Sequence, residues 1–263
     1  AVALLPAAPE PHLALAHARR EAGDTAGARE AAEAALARAQ GDITDQARFL
    51  LAALGGAPAP ARAPAAYVRD LFDQFAPRFD RELAALDYRT PALLAALLQE
   101  AGMGPPKRLR VLDLGCGTGL SGAALAPFAR RLEGLDLSPR MLAEARKRGL
   151  YDALHEADLL DWLPGRAGAF DLVVAADVLN YLGELGPALT AIRAALAPGG
   201  LAAFSIETGA GVPYALGEGL RYRHDPAHLR ALLGGAIRAE RAVTLRQERG
   251  APVAGMLFLI GRE

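Results

Sequence analysis

The sequence predicts an α/β protein: a doubly wound, mostly parallel seven-stranded sheet with an α-helical appendage on its N-terminal side. Three observations carry this reading. From Leu109 onward, apolar strand-like runs alternate with helical patterns, as in βαβ units wound into a parallel sheet. The first of these runs, Val111-Leu112-Asp113-Leu114, leads into the glycine-rich stretch Gly115-Cys116-Gly117-Thr118-Gly119, at the carboxyl end of a strand where open α/β sheets bind ligands. The residues before this region are helical in pattern and rich in alanine.

At 263 residues the chain has room for one α/β core and an appendage, because domains usually take about 100–200 residues. Hydrophobic residues make up 52% and charged residues 22%, which supplies a core and gives no compositional case for disorder. The formal net charge is −1, without the basic footprint of a nucleic-acid or anionic-membrane binder. Neither partner is therefore expected. Cys116 is the single cysteine, so no intramolecular disulfide and no cysteine-based metal cluster can form, and no metal is expected. No apolar run reaches the ~20 residues of a membrane span. A reducing, cytoplasmic location is the simplest expectation.

Residues 1–54 read as three short helices. Gly23-Asp24 and Gly41-Asp42 punctuate them, each a stop glycine followed by an aspartate placed to cap the next helix. Leu13, Ala28, Ala31, Ala32, Ala35 and Leu36 fall where a tetratricopeptide helix pair packs closely, and an ordinary alanine-rich hairpin has the same pattern. Residues 55–66 are rich in proline and alanine and read as a semi-rigid linker. Residues 67–106 read as a helical lid, with Leu71, Phe72, Phe75 and Phe79 on one face; such a stripe either packs on the core or covers an apolar ligand. The ligand-binding domain takes 107–263, with strands over Arg110–Leu114, Arg131–Leu135, Ala153–Glu156, Phe170–Ala175, Gly200–Ile206, Arg238–Leu245 and Ala254–Gly261. The connection between the last two is too short for a crossover helix and predicts an antiparallel hairpin.

The glycine-rich turn points to a nucleotide-type ligand but admits two cofactors. Gly117 to Gly122 satisfies G-x-G-x-x-G, so an NAD(P)-dependent oxidoreductase is one alternative. Two features oppose it: Gly115 has already ended the strand, and Asp113 sets a carboxylate near the place a pyrophosphate would take. That carboxylate suits instead a ligand with an ammonium group, a sulfonium and no phosphate.

Asp113-Leu114-Gly115-Cys116-Gly117-Thr118-Gly119 resembles the cofactor motif of the class I S-adenosylmethionine-dependent methyltransferases. Gly134-Leu135-Asp136-Leu137-Ser138-Pro139-Arg140-Met141-Leu142, Ala157-Asp158-Leu159, Phe170 to Leu182 and Leu196-Ala197-Pro198-Gly199-Gly200 resemble that family's later motifs, in order. With its flanks the resemblance covers roughly residues 67–263. It is nearest to bacterial members that carry a tetratricopeptide segment, and it implies a Rossmann-like methyltransferase fold and S-adenosyl-L-methionine as cofactor. On the same resemblance the cofactor is held by Asp113, Gly115, Cys116, Gly117 and Gly119; by Asp136, Leu137 and Met141, with Asp136 chelating the ribose hydroxyls; by Asp158 and Leu159 at the adenine; and by Ala175 and Asp177. An acid about 20 residues beyond the glycines also fits a dinucleotide, so Asp136 indicates a nucleoside without choosing between cofactors.

A sulfonium is an activated methyl donor, so the protein has mainly to align acceptor and methyl and to exclude water. The acceptor is expected to be a small molecule with an oxygen, nitrogen or carbon nucleophile. His224, in the polar run Leu220 to Pro226, is the candidate general base, with Tyr222 beside it; a packing histidine is the alternative. Phe75, Phe79, Glu207 and Tyr222 are the candidate acceptor contacts. The N-terminal helices are a candidate surface for a protein partner, and a non-catalytic cofactor-binding module is a further alternative. Deleting the residues before Tyr67 is expected to leave cofactor binding largely intact.

Overall fold

The computed structural model describes residues 2–103, 108–217 and 219–262. The expected boundary between lid and sheet domain at residues 106 and 107 lies outside the described residues.

The chain begins with α1 (Pro9–Glu21), α2 (Thr25–Leu36) and α3 (Asp42–Ala53). Gly23, at φ +80°, ends α1, and the Asp24 carboxylate caps α2 by accepting from the Gly27 N–H at 2.8 Å. At the second punctuation Gly41 is itself the capping residue and Asp42 opens the helix. The region read as a helical lid holds three helices: α4 (Ala65–Phe75), α5 (Phe79–Ala85) and α6 (Thr90–Glu100). The breaks fall at Pro77, which cannot continue a helix, and at Asp87, whose φ is +50°.

Strands and helices then alternate: β1 (Leu109–Leu114), α7 (Leu120–Leu125), β2 (Ala129–Asp136), α8 (Pro139–Lys147), β3 (Ala153–Glu156), α9 (Leu159–Trp162), β4 (Phe170–Ala175), α10 (Gly186–Ala195) and β5 (Leu196–Thr208). After β5 come β6 (Tyr214–Leu216), β7 (Tyr222–His224), α11 (Pro226–Leu233), β8 (Ile237–Glu248) and β9 (Ala251–Gly261). Parallel pairing joins β3, β2, β1, β4 and β5 in that spatial order, and antiparallel β9 and β8 complete the sheet beyond β5. These are the seven expected strands. The hairpin β6–β7 adds two more among the described residues, with β7 pairing the last residues of β5. The run Leu220 to Pro226 is therefore partly a strand and not a polar loop.

Alternation assigns each strand residue to one of two helical layers. Leu112, Leu114, Val173, Ala175, Phe204 and Ile206 pack with Leu189 and Ile192 of α10 and Leu229 of α11. Val111, Leu172, Val174 and Ala203 pack on the other face with Leu94, Leu97 and Leu98 of α6 and Leu125 of α7. Full burial on both faces is why these strands read as continuous apolar runs.

The segment read as a linker is not a spacer. The Ala63 N–H donates to the Tyr181 carbonyl at 2.9 Å, and the Gly183 and Glu184 N–H groups donate to the Ala61 carbonyl at 2.8 and 2.9 Å. The Tyr222 hydroxyl donates to the Pro60 carbonyl at 2.7 Å. Behind this strap, Phe49, Leu50, Tyr67 and Val68 share one apolar cluster with Leu220 and Tyr222 of the sheet domain. No helix among the described residues is long and apolar enough to cross a membrane.

Candidate active site

A cavity of about 720 Å³ opens at the carboxyl ends of β1, β2 and β4 and is roofed by α4 and α5. Its floor is the turn after β1. Gly115, Gly117 and Gly119 have φ of +60°, +54° and +91°, a left-handed backbone that side chains disfavour. A Cβ on Gly115 would lie 2.4 Å from Val178, whereas one on Gly117 would project into the cavity with only the Phe79 ring, at 3.7 Å, near it. This leaves backbone bare to a ligand. Beneath the turn, a Cβ on Gly134 would meet Cys116 Sγ and Leu154 at 2.8 Å and Tyr151 at 3.0 Å. Gly134→Ala is expected to lower stability by about 1–3 kcal/mol through overpacking, measured by urea denaturation.

Asp136 ends β2 and lines the cavity. Its two carboxylate oxygens accept from the Gly117 N–H at 2.9 Å and the Ser138 N–H at 2.8 Å, which holds the group in one orientation and leaves lone pairs turned to the cavity. Enclosure raises its pKa to about 6 against the pull of those N–H donors, with the Asp73 carboxylate adding to the rise. Farther along, Asp158 caps α9 by accepting from the Leu160 N–H at 2.9 Å and forms an ion pair with Arg62 of the strap. Leu137, Ala157 and Leu159 line the same end.

The roof is aromatic. Phe72 packs edge-on to Phe79 and to Tyr181, with ring centroids 6.0 and 5.4 Å apart, and Phe75 and Tyr67 complete the wall. Asp73 and Asp80 tie α4 and α5 to the sheet domain. Asp80 of α5 accepts from the Thr118 hydroxyl of the glycine turn and pairs with Arg148; Asp73 of α4 accepts from the Ser138 hydroxyl.

Opposite the roof lies a buried ionic cluster. Glu207, 4% exposed, pairs with Arg221 and Arg246, and Arg246, 5% exposed, also reaches Glu248 and Asp177. Asp177 follows β4 with a left-handed backbone, φ +55°, a conformation uncommon for a residue other than glycine. Its carboxylate accepts from the Ser205 hydroxyl at 2.7 Å and the Thr90 hydroxyl at 3.3 Å. Burial raises its pKa while Arg246 opposes the rise.

The structure brings together Gly115, Cys116, Gly117, Asp136, Leu137, Asp158, Leu159, Asp177, Phe75 and Phe79 around this one cavity. It places the others elsewhere. Asp113 does not face the ligand space: strand alternation turns it toward the layer of Val111, where it is fully buried and accepts from the Tyr151 hydroxyl at 2.6 Å. Burial lifts its pKa to about 7. Gly119 lies over Arg148 and Tyr151, and Met141 and Ala175 are buried in the packing beneath. Glu207 stands behind Arg221 and Arg246 rather than at the cavity wall.

The general-base expectation does not survive at His224 and Tyr222. His224 is 1% exposed, its Nε2 lies 2.8 Å from the Leu182 carbonyl, and burial lowers its pKa; neither it nor Tyr222 lines the cavity. Both are packing residues of β7. Residues with no role assigned from sequence take their place at the wall: Arg62, Tyr88, Asn180, Arg221 and Arg246, with Arg20 and Glu21 from α1. No local signal marks Arg246: β8 also carries Arg238, Glu240, Arg241 and Glu248, and only packing singles out Arg246 as the buried charge.

The sheet order, the left-handed glycine turn and the carboxylate at the tip of β2 define the fold of the class I S-adenosylmethionine-dependent methyltransferases. Comparison with known proteins agrees. Residues 111–200 match the family model described as a methyltransferase domain. Human methyltransferase-like protein 27 is 41% identical over 111 residues, covering 41% of this chain and 45% of that protein. Trans-aconitate 2-methyltransferase of Pseudomonas aeruginosa is 39% identical over 94 residues, covering 35% of this chain and 33% of the enzyme. The chain thus spans half or less of these relatives. Magnesium protoporphyrin IX methyltransferase from Synechocystis PCC 6803, solved with bound S-adenosylhomocysteine, superposes with a TM-score of 0.58 at 20% identity over 75% of this chain and 99% of that one, a likeness of fold.

Proposed function

We propose that this protein transfers a methyl group from S-adenosyl-L-methionine to a small-molecule acceptor held beneath α4 and α5. The observation that carries the reading is Asp136, fixed by two backbone N–H groups with lone pairs free toward the cavity, an arrangement suited to two neighbouring ribose hydroxyls. Bare backbone at Gly117 and a carboxylate at Asp158 extend the same fit along a nucleoside. The cofactor, when bound, supplies a methyl already activated on sulfur. The chain's own residues then bind, align and exclude water: Phe72, Phe75 and Phe79 cover the space next to the glycine turn, and Asp177 and Arg246 face it from the tips of β4 and β8. Such enclosure makes alignment the main catalytic contribution. The same proposal keeps the α1–α2 hairpin, with its tetratricopeptide-like alanine packing, as a surface for a protein partner, and a reducing, cytoplasmic setting for the buried Cys116 thiol.

Calorimetric titration with S-adenosylhomocysteine beside NADH tests the reading. Micromolar binding of the first alone supports it; preference for NADH overturns it in favour of an oxidoreductase. Because the ribose hydroxyls donate to the ionised carboxylate, affinity is expected to fall as pH drops through about 6, where Asp136 takes up a proton. Repeating the titration between acidic and neutral pH checks this, with Asp136→Asn expected to flatten the profile.

A further inference from the structure

Arg62 belongs to the Pro/Ala-rich strap, far in sequence from the matched methyltransferase domain, yet its guanidinium lies inside the cofactor cavity on Asp158. Nη2 donates to Oδ2 and Nη1 lies 3.4 Å from Oδ1, so the fork addresses both carboxylate oxygens. Arginine alone offers this planar two-pronged match. The strap holds the fork in place. The N–H of Ala63 and the carbonyl of Ala61, on either side of Arg62, are hydrogen-bonded to the segment after β4, and the preceding Pro60 carbonyl accepts from Tyr222. With the backbone pinned on both sides, less freedom remains for the side chain to lose on pairing.

Among the described residues, Asp158 is otherwise restrained by the Leu160 N–H on Oδ1 alone. The carboxylate side chain is 11% exposed, so a rotation away from Arg62 would leave it poorly paired in a mostly enclosed site. A carboxylate has about four acceptor positions. Leu160 and the two arms of Arg62 engage three of them, and one on Oδ2 remains.

We propose that Arg62 is a positioning residue of the cofactor site: it locks Asp158 in the rotamer that presents a single acceptor to the 6-amino group of the adenine base, and so makes selection of an aminopurine depend on the N-terminal strap. This inference rests on the cofactor reading above. It reverses the expectation that residues before Tyr67 are dispensable for binding, since their removal takes away the lock.

The test is calorimetry of the full chain with S-adenosylhomocysteine and with its 6-oxo counterpart, S-inosylhomocysteine, for the unaltered protein, Arg62→Ala, Arg62→Lys and Asp158→Ala, with thermal melts alongside. Arg62→Ala is expected to weaken S-adenosylhomocysteine about tenfold while changing S-inosylhomocysteine much less, so that discrimination collapses toward that of Asp158→Ala. Arg62→Lys, which keeps the charge without the fork, is expected to recover part of it. In the Arg62→Ala, Asp158→Ala double variant the losses should not add. Unchanged discrimination in Arg62→Ala, an equal loss for both ligands, tighter binding, or additive losses would each overturn the inference. An unaltered chain that binds neither ligand overturns the cofactor reading itself, and this inference with it.

Discussion

Replacing Asp136 by alanine is expected to abolish measurable S-adenosylhomocysteine binding while the sheet stays folded. Each hydrogen bond to a charged group is worth about 1.5–3 kcal/mol, so losing two ribose contacts removes on the order of 3–6 kcal/mol, at least about a hundredfold in affinity. The variant also strips the Gly117 N–H of its acceptor and releases the turn that the ligand approaches. Asp136→Asn retains one acceptor oxygen and is expected to fall between the two. Calorimetric titration measures the loss, and circular dichroism establishes that the fold persists. Equal affinity in Asp136→Ala and the unaltered chain would mean that the end of β2 does not hold the ribose.

The second large effect concerns stability. Glu207→Ala leaves the Arg221 and Arg246 guanidinium groups without the carboxylate on which both converge, and breaking a buried ion pair from one side costs about 3–5 kcal/mol. Urea denaturation should show the midpoint falling by a corresponding amount. The pH dependence has a defined sign. Burial alone would raise the Glu207 pKa, but Arg221 and Arg246 outweigh it and hold it below the ordinary 4.5. Its contribution is therefore present above the unfolded value and is lost as pH falls through the folded one. In Glu207→Ala this acid-side loss should disappear. A variant of unchanged stability with a raised KM for the acceptor would instead return Glu207 to the binding wall.

The core of the sheet domain was readable because its signals are local. The continuous apolar runs of β4 and β5, the left-handed glycines after β1 and the short connection between β8 and β9 each depend on a few neighbouring residues. Asp136, Asp158 and the glycine turn were legible for the same reason, as residues at strand ends in a fixed order. Asp113 shows the limit: it is part of the same motif, and only the pairing of β1 decides that its carboxylate turns away from the cavity to Tyr151. His224 shows it again. Three residues of that polar-looking run, Tyr222–His224, form a strand because the last residues of β5 and the whole of β6 pair with them, and carbonyls more than 40 residues away meet the His224 ring.

By itself the sequence determined the α/β class, the order of strands and helices along the chain, the carboxylates at the ends of β2 and β3 and the helical character of the N-terminal segment, since propensity, period and glycine conformation act over one element at a time. Tertiary structure decided which side chains share the cavity. Arg62 meets Asp158 across 96 residues and Tyr222 meets Pro60 across 162, and the burial of Glu207 with Arg246 brings β5 and β8 together. The identity of a charge's partner depends on how whole layers pack, and no local pattern encodes that distance.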